Sequence, residues 1–294
     1  MNDVVVIGSI NVDRSVGVPV GPLRGATLLG SDVLRGPGGK GANQAVALAR
    51  LGRSVAMVGA VGSDADGDWM LSVLTAEGID VSGVVRVAEP TGQAFIFVEP
   101  NGESTIVVSP GANGALTPAH LDLARDSIVN ARCVLVQQEI PSETVERAVD
   151  LAGDLFVLNP APARPVSRRV LERVDVLVPN RFELAGLTGE PVPGSLEGVE
   201  RMALALDGPS TVIVTLGSDG CVVAECGLSV HVPAATVVPV DATAAGDTFC
   251  GALVDALLDG MSTTGAAAWA SRVAAITVGR RGAQESIPFR AEME

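Results

Sequence analysis

Basic residues are scarce in this sequence. Its 294 residues include 20 Lys and Arg against 34 Asp and Glu, which gives a formal net charge of −14 at pH 7. A nucleic-acid interface needs clustered Lys and Arg, and an anionic membrane surface selects the same residues. We therefore expect neither nucleic acid nor membrane among the partners of this chain.

Histidine and closely spaced cysteine are also rare. His120 and His231 are the only histidines, and the four cysteines have no CxxC spacing. A structural zinc site or a histidine-based catalytic triad is therefore hard to assemble. We interpret the cysteines as scattered core or surface thiols: Cys133, Cys221, Cys226 and Cys250.

The N-terminal segment has no long apolar run. Met1-Asn2-Asp3 is acidic where a secretory signal would be basic, and the apolar run at 4–7 is too short for a signal or a membrane span. We expect a cytoplasmic protein. The hydrophobic content of 47% is enough for a sizeable core, in one large α/β domain or one domain with an appendage.

The chain contains a single lysine, Lys40, so the other basic residues are all arginine. Ordinary surface positions evidently accept arginine here. A lone lysine within the glycine-rich segment 38–41 therefore indicates a place that needs a compact ammonium group rather than a planar guanidinium. The alternative is one surface lysine that has survived by chance.

Short β-branched runs alternate with helical stretches rich in Ala and Leu. The run at 4–7 is followed by a helical stretch at 43–51, and the alternation continues to helical stretches at 248–258 and 266–278. This order is typical of a mostly parallel sheet covered by helices on both faces. The sequence thus predicts a doubly wound α/β core.

Two stretches interrupt the alternation, one at 14–35 and one at 94–109, where strands flank a hairpin signal at Pro100-Asn101-Gly102. Neither has room for a crossover helix, so we expect a small separate β-sheet that covers the site as a lid. Ordinary excursions of the core are the alternative. The predicted division is a core of 1–12, 36–93 and 110–294 and a β lid of 13–35 and 94–109.

The segment 240–249 leads from small residues directly into a helical pattern. Free amides at a helix start bind anionic oxygens, so the amides of 244–247 are candidates to hold a phosphoryl group during its transfer. Asp247 would stand beside the acceptor hydroxyl as the base, and phosphoryl transfer does not require a strong one. The alternative is that Asp247 only caps its helix.

A second glycine-rich segment, 36–44, matches the pattern GxGxxG. A dinucleotide-binding motif directly follows the first strand of a βαβ unit, whereas here the nearest apolar strand lies far upstream, and Gly41 stands where a Walker A loop has Ser or Thr. We interpret it as a turn into a helix that approaches a polyhydroxylated ligand closely. The ligand contacts predicted there are Gly39, Lys40 and Asn43, with Asn11 and Asp13 added from the end of the first strand.

Taken in order, these motifs resemble the PfkB carbohydrate kinase family along nearly the whole chain. The resemblance lies in 8–13, 38–44, 138–139, 159–163, Asn180 with Glu183, 215–217 and 244–249. It implies an ATP-dependent kinase that phosphorylates a sugar hydroxyl, with Asp247 as the base. The amides of Ala245 and Gly246 would contribute the anion hole, which we place at Ala244–Asp247.

The resemblance also assigns binding residues. The sugar-binding positions are Asn11, Asp13, Gly39, Lys40, Asn43, Glu139 and Asp247. The nucleotide positions are Asn180, Glu183, Thr215, Gly217, Gly220, Gly246 and Ser271, with Glu183 linked to Mg²⁺ and phosphate. Similar enzymes are activated by a monovalent cation, and the positions matching that K⁺ site are Asp241, Thr243, Thr277, Arg280, Gly282 and Ser286.

Two positions depart from the family pattern. Ala242 stands where the family often has Thr, which weakens the expected positioning of phosphate or of the cation loop. Ser271 stands where related enzymes carry His beside the adenine, which leaves the nucleotide preference less certain.

Asn11, Asp13 and Glu139 favour D-ribose as the sugar. Deoxyribose, fructose, fructose phosphate or a nucleoside are alternatives, because a few polar contacts decide specificity in such a site. A sugar-binding sensor without activity is a more distant alternative, and an NAD-dependent dehydrogenase is more distant still. The exposed strands of a small sheet would also favour a homodimer formed through the lid.

Overall fold

The computed structural model describes residues 2–22, 24–25, 27–100 and 104–293. Asn101 and Gly102, on which the predicted hairpin turn depends, lie outside the described residues.

The elements are named here in chain order. The strands are β1 (Val4–Ile7), β2 (Asn11–Gly17), β3 (Leu34–Gly38), β4 (Val55–Gly62), β5 (Asp80–Val87), β6 (Gly92–Val98), β7 (Ser104–Ser109), β8 (Cys133–Gln137), β9 (Phe156–Asn159), β10 (Val176–Leu177), β11 (Thr211–Thr215), β12 (Cys221–Glu225) and β13 (Leu228–Val232). The α-helices are α1 (Lys40–Arg50), α2 (Ala65–Ala76), α3 (Pro118–Leu123), α4 (Arg125–Val129), α5 (Ser142–Leu151), α6 (Arg168–Leu171), α7 (Arg181–Thr188), α8 (Leu196–Ala205), α9 (Ala245–Leu258) and α10 (Thr263–Val278).

The larger sheet has nine strands in the order β13-β12-β11-β10-β9-β8-β1-β4-β5. The seven neighbouring strands β11, β10, β9, β8, β1, β4 and β5 pair in parallel. Strands β12 and β13 extend the sheet beyond β11 as antiparallel strands. Strand β1 lies inside the sheet between β4 and β8, and all four of its residues are buried. A strand covered on both faces is expected to be continuously apolar, as this one is.

Side-chain alternation along β1 divides the core into two halves. Val4 and Val6 belong to a cluster with residues of α1, α2, α9 and α10, whereas Val5 and Ile7 belong to a cluster with residues of α3 to α8. Successive strand residues point to opposite faces, so each cluster lies on one face of the sheet. The predicted doubly wound, mostly parallel core is confirmed.

A second, four-stranded sheet has the order β3-β2-β6-β7. Strands β2 and β6 pair in parallel, and the two outer pairs are antiparallel. The expected small separate sheet is therefore present. Its first strand begins at Asn11, two residues before the predicted lid boundary, because Asn11 already pairs with Gly38 and Gly92. Among the described residues, no helix is long and apolar enough to cross a membrane.

Candidate active site

Most of the predicted site residues lie at the carboxyl-terminal ends of the parallel strands of the large sheet. Asn11 and Glu139 follow β1 and β8, while Asn180 and Thr215 lie after β10 and at the end of β11. The carboxyl ends of parallel strands meet at the same edge, which is where open α/β sheets bind ligands. Helices α1 and α9 both begin there.

Helix α9 begins with an unusual backbone conformation. Ala244, its N-cap, has a left-handed backbone with φ 60° and makes no side-chain cap. The Ala245 amide donates to the carbonyl of Ala242 at 3.2 Å. In the described part of the chain, the amides of Gly246 and Asp247 have no acceptor. These two free amides are available to an anion, and the anion hole itself stays a prediction.

Asp247 is the third residue of α9 and is only 7% exposed. Asn43 Nδ2 donates to Asp247 Oδ2 at 2.9 Å, and Gln44 Nε2 donates to Oδ1 at 3.1 Å. Neither oxygen caps the helix, so the carboxylate is turned toward α1 instead. Burial raises the pKa of Asp247, and Glu139 adds to this, while Lys40, Asn43 and Gln44 oppose it.

The start of α1 packs closely against the turn that follows β1. Gly39 has φ 91°, and a Cβ there would lie 2.6 Å from the backbone nitrogen of Asn11. At Gly41 a Cβ would lie 2.7 Å from the carbonyl carbon of Gly8. Only glycine permits this approach, which brings Lys40 between the sheet edge and α9.

Lys40 lies among carboxylates. Burial alone would lower the pKa of its ammonium group, but the negative charges of Asp247, Glu139 and Glu183 outweigh burial and raise it. The lysine therefore stays charged. Its ammonium group interacts electrostatically with Asp247 and Glu139, which are predicted to bind the sugar, and with Glu183, which is predicted to bind the nucleotide.

Glu139 is the acceptor of several donors from the β1 turn. Ser9 Oγ donates to Glu139 Oε2 at 2.5 Å, and Asn11 Nδ2 and the Lys40 amide lie at 3.5 Å from the same oxygen. The structure thus brings together Asn11, Lys40 and Glu139, which are far apart in sequence.

Asp13 lies beside the same group, on β2. Burial raises the pKa of Asp13 to about 7, with further contributions from Glu139, Asp247 and Glu285, while Lys40 lowers it. Asp13 and Asp247 are therefore two aspartates of the site whose carboxyl groups hold a proton more strongly than an ordinary aspartate does.

Sequence reasoning missed Asn113, which fixes the turn after β1. Asn113 Nδ2 donates to Asn11 Oδ1 at 2.7 Å and to the Ile10 carbonyl at 3.2 Å, and its Oδ1 accepts from the Ile10 amide at 2.9 Å. The only available signal was a polar residue in the Gly-rich segment 111–114. Gln44 and Gln137 were also missed as partners of the site, since a buried glutamine in a helix or strand has no sequence signal of its own.

Asn180 and Glu183 form a capping box at the start of α7. Asn180 Oδ1 accepts from the amides of Phe182 and Glu183 at 2.8 and 2.9 Å, and Glu183 Oε2 accepts from the Asn180 amide at 2.8 Å. Among the described residues, the second Glu183 oxygen has no donor. Burial raises the pKa of Glu183, and the Asn180 amide and Lys40 oppose that rise. The Asn-x-x-Glu pattern therefore has a structural role that leaves one carboxylate oxygen free.

The other predicted nucleotide residues surround the turn after β11. Gly217 and Gly220 have φ 62° and 88°, and a Cβ at Gly220 would lie 2.1 Å from the carbonyl oxygen of Val232. Ser271, on α10, lies beside Cys221 of β12 and opposes the rise that burial causes in the pKa of the Cys221 thiol.

The residues assigned to a K⁺ site are partly brought together. Asp241 Oδ1 accepts from the amide and hydroxyl of Thr243 at 2.9 and 2.6 Å, and Oδ2 accepts from the Gly282 amide at 3.0 Å. Burial acts to raise the pKa of Asp241, but these donors lower it overall. The carboxylate is thus supplied with donors from within the loop and from the segment at Gly282, and it shapes the loop.

The remaining K⁺ positions have separate contacts. Thr277 Oγ1 donates to Thr248 Oγ1 at 3.1 Å, and Ser286 Oγ donates to the Ala283 carbonyl at 2.6 Å. The Arg280 side chain points away to Glu292 at 2.6 Å. Within the described residues, no group of three or more His, Cys, Asp or Glu could hold a metal ion.

Comparison with known proteins identifies the family of this chain. The model of the pfkB family carbohydrate kinases matches residues 1–290. The ribokinase of Haemophilus influenzae is 41% identical over 292 residues, covering 98% of this chain and 95% of its own. The deoxyribokinase of Salmonella typhi is 36% identical over 293 residues, covering 97% and 95%. The structure of Arabidopsis thaliana ribokinase complexed with ribose and ATP superposes with a TM-score of 0.89 at 31% identity, covering 99% of this chain and 97% of its own.

Proposed function

Because this chain belongs to the pfkB family of carbohydrate kinases, we propose that it transfers the γ-phosphoryl group of ATP to the 5-hydroxyl of D-ribose. The products are ribose 5-phosphate and ADP. The observation that carries this proposal is the buried Asp247 carboxylate at the start of α9, oriented by Asn43 and Gln44 beside two free amides. Relatives that are ribokinases support ribose as the sugar.

In the reaction, a bond forms between the ribose O5 and the γ-phosphorus while the bond from that phosphorus to the leaving ADP oxygen breaks. The hydroxyl proton passes to Asp247, whose raised pKa makes it a better acceptor than an ordinary aspartate. The free amides at the start of α9, those of Gly246 and Asp247, stabilise the charge on the transferred oxygens. Ala244 and Ala245 complete the turn that presents them.

Ribose binding is assigned to the polar groups that meet beside Lys40. Their amide, carboxylate and ammonium groups offer both donors and acceptors, which a polyhydroxylated ligand requires. The proposed contacts are Asn11, Asp13, Gly39, Lys40, Asn43, Glu139 and Asp247.

ATP binding is assigned to the neighbouring part of the same edge. Glu183, through its free carboxylate oxygen, would hold a hydrated Mg²⁺ by way of one of the waters that this ion usually keeps. The ion would supply positive charge that neutralises the ATP phosphates. The proposed nucleotide contacts are Asn180, Glu183, Thr215, Gly217, Gly220, Gly246 and Ser271.

A K⁺ ion is proposed beside the loop that precedes α9. The hydrogen bonds from Thr243 and Gly282 to Asp241 hold the loop 241–243 against the segment 280–286, so a bound cation would stiffen the anion-binding turn. Thr277, Arg280 and Ser286 would contribute cation ligands through their own backbone oxygens or those of adjacent residues.

We also propose that the small sheet is a lid and a dimer surface in a cytoplasmic enzyme. All of the residues of β7 are exposed, and they include Ile106, Val107 and Val108. Exposed apolar clusters of this kind mark interaction surfaces. A lid of 13–35 and 94–109 would exclude water that could otherwise accept the phosphoryl group.

Deoxyribose is the second candidate substrate, because a deoxyribokinase is 36% identical to this chain. Its 2-position lacks the hydroxyl that ribose offers to polar groups of the site. With the deoxy sugar, a buried polar group that binds this hydroxyl would be left without a hydrogen-bond partner, which disfavours binding. Ribose therefore remains the first candidate.

The test is ADP release with ATP, Mg²⁺ and K⁺ across ribose, deoxyribose, fructose, fructose 6-phosphate and adenosine. We expect the highest kcat/KM on ribose and phosphate on O5, which NMR of the product identifies. Preference for another acceptor would retain the mechanism but replace the substrate. Sugar binding without turnover on any acceptor would contradict kinase activity and favour the sensor.

A further inference from the structure

Gln44, the residue after Asn43 in α1, contacts Oδ1 of the Asp247 carboxylate, whereas Asn43 contacts Oδ2. Its Nε2 lies 3.1 Å from Asp247 Oδ1 and 3.3 Å from Asn159 Oδ1. The Gln44 side chain has no exposed surface. It is therefore placed to act on Asp247 from within the core rather than from the ligand side.

The surrounding groups fix the direction of these hydrogen bonds. Asn159 Nδ2 donates to the Val178 carbonyl at 2.8 Å, so its Oδ1 is the atom that faces Gln44. An ionised carboxylate can only accept. Gln44 must therefore turn its NH₂ group toward both oxygens, and its Oε1 accepts from Gln137 Nε2 at 2.5 Å.

The second Asp247 oxygen is held in a parallel way. Asn43 Nδ2 donates to Oδ2 at 2.9 Å, and Asn43 Oδ1 accepts from Gln284 Nε2 at 3.1 Å. Each carboxylate oxygen thus receives one amide donor whose own orientation is set by a buried glutamine. Two fixed donors restrict rotation of the carboxylate about its last side-chain bond.

We propose that Gln44 and Gln137 are positioning residues for the phosphoryl-transfer reaction, holding the Asp247 carboxylate so that a free lone pair faces the acceptor hydroxyl. A carboxylate offers about four acceptor directions, and the two amides occupy one on each oxygen. The remaining directions are left for the substrate. The proposal rests on the proposed function, in which Asp247 accepts the hydroxyl proton.

Gln137 is suited to this role by its confinement. It is the last residue of β8, fully buried, and its Oε1 has no donor among the described residues. A Cβ at Gly8 would lie 1.8 Å from that oxygen. The Gln137 amide is thus enclosed between β1 and α1, and its NH₂ group is directed toward Gln44.

Other titratable groups also face Asp247, so a test must leave them unchanged. They are Lys40, Glu139, Glu183, Asp13 and the neutral thiol of Cys250. Gln44→Met retains the length and apolar stem of the side chain and alters none of these groups. Gln137→Met removes only the donor that orients Gln44.

The measurement is the titration of the Asp247 carboxyl carbon by ¹³C NMR in protein labelled at aspartate, with the signal assigned by its loss in Asp247→Asn. Removing a donor to the ionised form raises a carboxyl pKa. We expect the Asp247 pKa to rise in Gln44→Met and to rise less in Gln137→Met. On the sugar that the wild type turns over, kcat should fall about tenfold in Gln44→Met with KM within about twofold.

Gln138→Met is the matched control. Gln138 is the neighbouring buried glutamine and has no hydrogen bond to Gln44 or Asp247 in the described part of the chain. Its substitution should leave the Asp247 pKa unchanged. An equal shift in Gln138→Met, or no shift in Gln44→Met, would overturn the proposal.

If Gln44→Met does not fold, the Asp247 titration in Gln137→Met is the deciding measurement. If neither variant folds, Gln44 and Gln137 are needed for core packing and the positioning role is rejected. The titration needs no turnover. A wild type without kinase activity would therefore contradict the proposed function while the NMR result still reported on Gln44.

Discussion

At the scale of single residues, four carboxyl groups surround the one lysine of the chain. Lys40 interacts electrostatically with Asp247, Glu139 and Glu183, and it lowers the pKa of Asp13. One positive charge does not neutralise four negative ones. This excess, together with burial, is why Asp13 and Asp247 hold protons unusually strongly.

Asp13 provides a pH-dependent prediction. The pKa of Asp13 is about 7 in the folded chain, against an ordinary value of 3.8. Between pH 3.8 and pH 7 the folded state therefore binds more protons than the unfolded state, so the free energy of unfolding falls as the pH rises through this range. Asp13→Asn should therefore stabilise the protein at pH 8, on the order of 4 kcal/mol, because the two pKa values differ by about three and each unit corresponds to about 1.4 kcal/mol.

The check is denaturant unfolding of wild type and Asp13→Asn at pH 4 and pH 8. The gain should largely vanish at pH 4, where Asp13 is mostly protonated in the folded state. An equal difference at both pH values would show that proton binding by Asp13 does not cause it.

Gly39→Ala tests the close approach of α1 to the β1 turn. The methyl group would meet the Asn11 amide nitrogen at 2.6 Å at a residue with φ 91°, so we expect a loss of about 2–3 kcal/mol in the free energy of unfolding and a higher sugar KM. Gly36→Ala is the control, because a Cβ there meets nothing within 4 Å. Denaturant unfolding of both variants should separate them, and equal stabilities would contradict the packing argument.

The position of Asp247 at a helix start was predictable from sequence, because the segment 244–249 leads directly into a helical pattern; its role as the base stays a prediction. Asn113 was not, because its partner Asn11 lies 102 positions away. A hydrogen bond between distant turns depends on the tertiary fold, and the local sequence carries no record of it.

At the scale of elements, β1, α1, α9 and α10 were predicted from the hydrophobic pattern, whereas the edge strands β5 and β13 of the large sheet were not. Strand β1 is an apolar run buried on both faces, whereas β5 is an edge strand of mixed exposure whose apolar residues are interrupted by polar ones. Hydrophobic pattern reports burial, so it is weakest at the edges of a sheet. Strand β13 likewise lies at an edge and is mostly exposed, whereas β12 is buried between β11 and β13.

The small sheet is attached to the core through Asp66 in the first turn of α2. Arg14 of β2 and Arg35 of β3 form ion pairs with it at 2.6 and 2.5 Å, and Arg35 also lies over the ring of Trp69 at 3.9 Å. Two strands of the proposed lid therefore share one carboxylate on the core.

Asp66→Asn should loosen this attachment. We expect the sugar KM to rise about threefold to tenfold with little change in global stability, because partly exposed ion pairs contribute modestly. Added salt should raise the wild-type KM in the same direction. Steady-state kinetics at low and high salt measure both effects.

Asp68→Asn is the matched control, since Asp68 lies in the same turn of α2 but pairs with Arg86 on the core and is 70% exposed. If it raised KM as much as Asp66→Asn, the effect would come from the charge of the helix start and not from the lid.

At the scale of the whole molecule, the exposed apolar face of the small sheet predicts a dimer. Phe95 and Val107 are opposite each other in the β6–β7 pair, and both are exposed. They lie on the face opposite Asp13, because Asp13 pairs with Ala94, one residue before Phe95. A substitution there should leave sugar contacts intact.

Val107→Arg should therefore convert the dimer to a monomer by placing a charge in the apolar contact. Sedimentation velocity measures the mass directly. Leu228→Arg, at an exposed position on β13 far along the other sheet, should leave the mass unchanged. A wild type that sediments as a monomer would contradict the proposed dimer.

The central claim is that the carboxylate of Asp247 takes the proton of a sugar hydroxyl during phosphoryl transfer. The most direct test is the initial rate of ADP formation from ribose and ATP in wild type and Asp247→Asn, together with ribose affinity by calorimetry. We predict that kcat falls at least about a hundredfold while ribose affinity changes only severalfold, since amide and carboxylate have the same shape. A variant that retains wild-type turnover would contradict the account.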